Sequence, residues 1–164
     1  FQVARAIHEF PRVNSRLNGD VIEILGEVNI GVAVELEEGL MVPVVRNADQ
    51  KNVGQISREV QELAERARQG QINPDELTGS TFTISNLGGY GIQLFTPIID
   101  HPNSCILGIG KITKTPVVIE NAIAIRDIVY LSLSFDHRII DGAPAAQFLA
   151  LLKEMLEAPA VALM

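Results

Sequence analysis

The chain has 164 residues, of which 47% are hydrophobic and 20% charged, and its formal net charge is −7 with a pI near 4.9. This length suits one domain with a substantial core, and scattered Lys and Arg in an acidic chain argue against a nucleic-acid partner, because phosphate binding needs clustered basic side chains. No apolar run reaches the roughly 18 to 20 residues of a membrane helix and no signal peptide opens the chain, so we expect an intracellular protein without membrane association.

The first third of the chain predicts a helix followed by two strand pairs. Apolar residues at positions 3, 6, 7 and 10 mark one face of a helix that Pro11 stops. Asn18-Gly19 suits the tight turn of a hairpin, and Glu37-Glu38-Gly39 separates a second pair of apolar runs. The predicted elements are a helix over 1–10, strands 16–17 with 21–24, and strands 30–36 with 40–45.

The rest of the chain predicts two further helices around a group of strands. Apolar residues recur at helical spacing from 53 to 69, and Gly70 is expected to end that helix. Asn73, Pro74 and Glu76 are typical of a capped second short helix. The order of elements predicts one α/β (α+β) domain, a mixed sheet with helices packed on it. The predicted strands are 81–85, 104–109, 116–119, 122–125 and 128–135, and a closing helix over 143–156 is predicted to bury Phe148, Leu149, Leu151, Leu152, Met155 and Leu156.

Two glycine-rich stretches do not fit nucleotide-binding motifs. Around residues 108–111 a P-loop would need glycine in place of Cys105 and Ser or Thr in place of Ile112. The stretch 87–91 lacks the dinucleotide spacing and is typical of a turn. Cys105, which has no partner for a disulfide or a zinc site, is expected to be a small core residue, and we expect no bound metal.

The three histidines differ in their sequence surroundings. His8 falls on the polar side of the first helix and is expected to be solvated, and His101 lies in the turn sequence Asp-His-Pro-Asn, where a structural role is expected. His137 stands where an apolar strand gives way to a turn. A strand holds such a position rigidly while the turn exposes the side chain, so His137 is the candidate catalytic base, although a structural role is equally open at this point.

Two charged neighbours of His137 have both structural and functional interpretations. Asp141 precedes the closing helix and can cap its first turn, and it can also brace the loop so that the imidazole keeps one orientation. Arg138 is either a plain surface charge or a guanidinium that locks the turn by paired hydrogen bonds to a carboxylate, and we favour the second interpretation.

Two segments carry a family resemblance. Residues 81–88 read Thr-Phe-Thr-Ile-Ser-Asn-Leu-Gly, and residues 131–142 read Leu-Ser-Leu-Ser-Phe-Asp-His-Arg-Ile-Ile-Asp-Gly. Together they resemble the catalytic domain of the dihydrolipoamide acyltransferases, the E2 components of 2-oxoacid dehydrogenase complexes. Segments 39–45 and 95–99 agree as well, so the resemblance covers nearly the whole chain. It implies a chloramphenicol acetyltransferase-like two-layer sandwich.

The resemblance also implies a reaction and roles for particular residues. Coenzyme A and the lipoyl group are the expected substrates, and a thiol of pKa about 8.5 needs a base to become a thiolate at neutral pH. By the family pattern His137 takes the thiol proton, the Ser85 hydroxyl donates to the tetrahedral oxyanion, and Asp141 completes the catalytic set. Support of the loop is expected from Asp136, Arg138 and Gly142.

The resemblance further implies partners and a larger assembly. We expect a homotrimer in which the serine and the histidine of one active site come from neighbouring subunits, and whose copies build a hollow core, which fits a mean hydropathy of +0.22. The 2-oxoacid dehydrogenase (E1) and dihydrolipoamide dehydrogenase (E3) are expected to bind through domains that this chain does not carry, and the lipoyl domain with its attachment site is also not in it. Residues 1–164 are expected to form the catalytic domain without its N-terminal segment, in the cytoplasm or, in a eukaryote, the mitochondrial matrix.

Several alternatives stay open on sequence grounds. Acetyl is the first expectation for the acyl group, with branched-chain acyl close behind and succinyl third. A chloramphenicol-type O-acetyltransferase would use the same histidine motif on a hydroxyl acceptor. A purely architectural core protein is a third class, but it has no need of His137, Asp141 and Ser85 together.

Overall fold

A computed structural model describes residues 1–158 and shows a mixed α/β fold built on one five-stranded sheet. The predicted mixed sheet with packed helices is therefore confirmed. Its helices are α1 (Gln2–Glu9), α2 (Val53–Arg68) and α3 (Gly142–Glu157). The strands are β1 (Ser15–Asn18), β2 (Val21–Ile24), β3 (Ile30–Val32), β4 (Val34–Glu35), β5 (Leu40–Met41), β6 (Val44–Val45), β7 (Phe82–Asn86), β8 (Cys105–Ile109), β9 (Thr113–Ile119), β10 (Ala122–Ile128) and β11 (Leu131–Phe135).

The main sheet has the strand order β11-β8-β7-β3-β6. The central strand β7 is parallel to both of its neighbours, β3 and β8. The outer strands β11 and β6 are antiparallel to their neighbours. The register places Ser85 opposite Gly108, and Gly108 opposite Ser132. Because side chains alternate along a strand, these three residues share one face of the sheet.

The other face of the sheet carries the apolar core. Phe82, Leu107 and Phe148 of α3 are at most 1% exposed, and the Phe82 and Phe148 rings lie 5.8 Å apart. Helix α1 joins this core through its predicted apolar face, and Phe10 meets Phe148 edge-on at 6.2 Å. The helices thus cover the face of the sheet opposite to Ser85.

A strap formed by residues 92–98 crosses the Ser85 face. The hydroxyls of Ser132 and Ser134 donate to the carbonyls of Phe95 and Pro97 at 2.6 and 2.5 Å. The strap lies so close to the sheet that a side chain at Gly110 would run into the Gln93 carbonyl. The two serines therefore hold the strap on the sheet, and Gly110 leaves the space that the strap occupies.

Several predicted elements differ in detail. The run 30–36 breaks at residue 33, so β3 pairs with β6 in the main sheet while β4 pairs with β5 separately. Residues 128–135 are not one strand, because Ile128 ends β10 and β11 begins at Leu131. The Asn73 segment forms only a 3₁₀ turn over Pro74–Leu77, in which the Glu76 carboxylate accepts from the Asn73 N–H at 3.0 Å. Leu156 was predicted to be buried, but it is 48% exposed.

Strands β9 and β10 form a hairpin apart from the main sheet, and both are longer than predicted. Its register pairs Val118 with Ile123, and Pro116 with Ile125. These four side chains share one face, where Val118 is 75% exposed and Ile123 80%. We call this surface the hairpin face.

Candidate active site

The turn after β11 is built by backbone hydrogen bonds to Asp136. The Asp136 N–H donates to the Ser104 carbonyl at 2.9 Å, and the Asp136 carbonyl accepts from Ile139 and Ile140 at 2.9 and 3.1 Å. Both isoleucines are at most 3% exposed, so their burial anchors the far side of the turn in the core. His137 is left at the exposed apex.

Asp136 and Arg138 lock this turn from the side. The guanidinium donates to both carboxylate oxygens, from Nε at 3.0 and 3.1 Å and from Nη2 at 2.6 Å, and the Arg138 backbone N–H adds a bond of 2.9 Å. The paired hydrogen bonds expected of Arg138 are thus present, with Asp136 as the partner. Hydrogen bonding to the Arg138 side chain lowers the pKa of Asp136 below its ordinary value and raises that of Arg138.

The His137 imidazole has two close neighbours within its own chain. Its Nδ1 lies 3.9 Å from Oδ1 of Asp141, and its ring centroid lies 5.5 Å from that of Phe135 with the planes inclined at 39°. The side chain is 72% exposed. A histidine that is exposed in this way is accessible to a group that exchanges a proton with it.

Asp141 does not cap α3 with its side chain, which corrects the sequence-based expectation. It occupies the N-cap position and its carbonyl accepts from the Ala145 N–H at 3.2 Å, but its carboxylate makes no cap hydrogen bond. The side chain is 84% exposed and points to the histidine instead. Gly142 is the first residue of α3 and has open space where a Cβ would lie, so no close approach accounts for its expected supporting role.

Ser85 is not brought together with His137 in one chain. Ser85 lies on β7 opposite Gly108 of β8, and β7 is two strands away from β11. Phe135, at the end of β11, is opposite Cys105 of β8. Neighbouring strands are about 4.8 Å apart and residues rise about 3.3 Å along a strand, which puts the Cα atoms of Ser85 and Phe135 about 14 Å apart. His137 lies beyond that end, so the strand register keeps the Ser85 and His137 side chains of one chain apart.

Sequence reasoning missed two features of this site. Phe135 contacts the imidazole, and the signal for it was an aromatic residue two positions before the histidine at the end of an apolar strand. The second feature is the pair of serines, Ser132 and Ser134, that hold the strap. Their alternation in Ser132-Leu133-Ser134 indicates that one face of β11 is polar.

His8, His101 and Cys105 are the residues for which no catalytic role was expected. His8 is 56% exposed and lies 3.4 Å from Asp49, and His101 is exposed in a turn. Cys105 is fully buried, and burial raises the pKa of its thiol to about 12, so the predicted core position is confirmed. Within residues 1–158 no group of three or more His, Cys, Asp and Glu side chains is arranged to hold a metal ion, and no helix there is long and apolar enough to cross a membrane.

A family model and curated relatives of 2-oxoacid dehydrogenase complexes match this chain. The family described as 2-oxoacid dehydrogenases acyltransferase (catalytic domain) matches residues 2–164. The dihydrolipoyllysine-residue acetyltransferase component of the pyruvate dehydrogenase complex of Rickettsia bellii is 45% identical over 162 residues, which are 99% of this chain and 39% of that protein. The chain thus spans about two fifths of the length of such curated relatives.

Solved structures agree in fold. The dihydrolipoamide acetyltransferase of Azotobacter vinelandii superposes with a TM-score of 0.94 at 41% identity, covering 99% of this chain and 69% of that one. The roles of a serine, a histidine and an asparagine in the catalytic mechanism of that enzyme have been investigated. The histidine comes 52 residues after the serine, and the asparagine comes four residues after the histidine. The cubic core of a pyruvate dehydrogenase multienzyme complex gives a TM-score of 0.94 at 40% identity with the same coverage.

A chloramphenicol acetyltransferase superposes with a TM-score of 0.55 at 16% identity, over 94% of this chain and 74% of its own, which shows the shared fold alone. The protein therefore has the chloramphenicol acetyltransferase-like fold that the resemblance implied. Within that fold, the chain belongs to the family of 2-oxoacid dehydrogenase acyltransferase catalytic domains.

Proposed function

We propose that residues 1–164 form an acyltransferase domain that moves an acyl group between dihydrolipoamide and coenzyme A. The observation that carries this proposal is His137, exposed at the apex of a turn that Asp136 and Arg138 lock, with Asp141 at 3.9 Å. Ser85, His137 and Asp141 reproduce the spacing of the serine, histidine and asparagine of the A. vinelandii enzyme, with aspartate in place of asparagine.

The chemistry follows from these three side chains. The His137 imidazole accepts the proton of the coenzyme A thiol, and the sulfur forms a bond to the thioester carbonyl carbon of the acyl-dihydrolipoyl group. The resulting oxyanion accepts a hydrogen bond from the Ser85 hydroxyl. Collapse of this intermediate breaks the bond to the dihydrolipoyl sulfur, which takes the proton from the imidazolium, while the Asp141 carboxylate lies beside Nδ1.

Two copies of the chain are needed for this reaction. Oxyanion donor and base must each lie about 3 Å from the atoms they serve, and the strand register separates Ser85 from the His137 end of the sheet by far more than that. We therefore propose that Ser85 of one subunit and His137 of another meet at a subunit interface. Each interface in a ring of identical subunits then carries one complete site.

The exposed apolar surface supports assembly into such a ring. The hairpin face carries four apolar side chains, and an isolated two-stranded hairpin is marginally stable by itself. Ile98 on the strap is 89% exposed as well. We propose a homotrimer and, by similarity to the cubic core in the related complex, a larger hollow assembly of trimers.

The substrates and partners of the whole protein belong to the same proposal. Acetyl is the favoured acyl group because the curated relatives are acetyltransferase components of pyruvate dehydrogenase complexes. The lipoyl domain, E1 and E3 are the proposed partners in that complex, and the cytoplasm, or the mitochondrial matrix in a eukaryote, is the proposed location. Branched-chain and succinyl groups are the alternative acyl groups.

An acyl-transfer assay with matched variants tests the proposal. We expect transfer from acetyl coenzyme A to dihydrolipoamide, and a loss of about 100-fold or more in His137→Ala. His8→Ala, which changes an exposed histidine on another surface, is expected to keep full activity. Activity on chloramphenicol but not on dihydrolipoamide would support the O-acetyltransferase alternative, and an intact assembly without any transfer would support the architectural one. Comparing acetyl, isobutyryl and succinyl donors defines the acyl group.

A further inference from the structure

We propose that Phe135 is a positioning residue that fixes the orientation of the His137 ring and contacts the positive charge that the ring carries during transfer. This inference rests on the proposed function, in which His137 becomes an imidazolium during each transfer. The two ring centroids lie 5.5 Å apart with planes inclined at 39°. That separation is within the range of favourable aromatic contacts and within the reach of a cation–π interaction.

Phe135 is itself held in place by the core. It is the last residue of β11, pairs with the fully buried Cys105 and packs against the central apolar cluster. A side chain held by a strand and a core loses little further entropy when it contacts the imidazole. Phe135 thus links the rigid sheet to the exposed turn.

The charged groups near His137 in its own chain have other partners or are exposed, and Arg12 donates from Nη1 to the Ile139 carbonyl of the same turn at 3.2 Å. Asp136 and Arg138 are committed to each other through the paired hydrogen bonds. Asp141 lies 3.9 Å from Nδ1, but its side chain is 84% exposed and, in the part of the chain that the structure describes, no hydrogen bond holds its carboxylate. Asp141 supplies charge, whereas Phe135 supplies a fixed surface.

The expected effect is on the chemical step. An aromatic ring attracts the imidazolium more than the neutral imidazole, so its contribution grows as the proton is transferred and falls on kcat rather than on KM. Phe135→Leu is expected to lower kcat about two- to fivefold with KM unchanged.

The test uses full-length protein and three kinds of variant. Phe135→Tyr keeps the ring and is expected to keep kcat. Leu133→Ala removes a core-facing side chain from the same strand and is expected to lower the thermal midpoint without lowering kcat. If Phe135→Leu does not assemble, Phe135→Met preserves side-chain bulk without a π face and takes its place.

The outcomes separate this inference from the proposed function. An unchanged kcat in Phe135→Leu, or an equal fall in kcat in Leu133→Ala, would overturn the positioning role. In both cases His137→Ala would still be inactive. Full activity in His137→Ala would instead overturn the proposed function itself, and the role of Phe135 with it.

Discussion

Coassembly of two inactive variants tests whether the site is shared between subunits. Ser85→Ala removes the oxyanion donor, with an expected loss of about 100- to 1000-fold, and His137→Ala removes the base, with an expected loss of about 100-fold or more. If one site takes its serine and its histidine from different chains, an interface between the two variants has one orientation in which both groups are intact. Neither variant alone can form such an interface.

The expected recovery follows from counting interfaces. With equal amounts of both chains in a cyclic assembly, about one interface in four combines an intact Ser85 with an intact His137. The mixture should therefore reach about a quarter of the unmodified activity, which is at least about 25-fold above either parent. The chains are coexpressed, the assembled particle is isolated by sedimentation, and acetyl transfer is measured per mole of chain.

A control mixture distinguishes the two arrangements independently. Unmodified chain coassembled with the double variant is expected to keep about one quarter of full activity if sites are shared, but about one half if each chain carries its own site. Coassembled single variants that stay at the activity of their parents, in particles shown to contain both chains, would refute the shared site. The distance inferred from the strand register would then have to be bridged within one chain.

Three further predictions concern the frame of the site and the core. Because Arg138 lowers the pKa of Asp136, the pair stabilises the fold at any pH above the ordinary carboxyl pKa of 3.8 and loses this contribution as the pH falls through the lowered pKa. Asp136→Asn should therefore lower the thermal midpoint at pH 7 and make the midpoint decline less steeply in acid. Gly110→Ala should cost about 1 to 3 kcal/mol or more in urea unfolding, since the strap occupies the space of the new methyl group, whereas Gly26→Ala, which has open space, should change stability by less than about 0.5 kcal/mol. Cys105, with a pKa of about 12, should react with a thiol reagent at pH 8 only after unfolding, and rapid labelling of the native protein would contradict its burial.

Local patterns determined much of the secondary structure. Helical spacing of apolar residues defined α1 and α2, because one face of each helix must be buried. The Asn18-Gly19 sequence predicted the first hairpin, but Asn18 pairs with Val21 in the strands, so the two-residue turn is Gly19-Asp20, where Gly19 has a φ of +59° that glycine adopts without strain. The paired bonds of Arg138 were also predictable, since their partner Asp136 is two residues away.

The sequence by itself also placed His137 on an exposed turn, because a strand-to-turn boundary is a local property. Only the tertiary structure decided the sheet order, the break between β10 and β11, and the orientation of Asp141 toward the histidine instead of the helix end. It also decided that Ser85 and His137 of one chain lie apart. Strand pairing joins residues that are distant in sequence, so register and face follow from packing of the whole chain, whereas a site shared between subunits was already implied by the family resemblance.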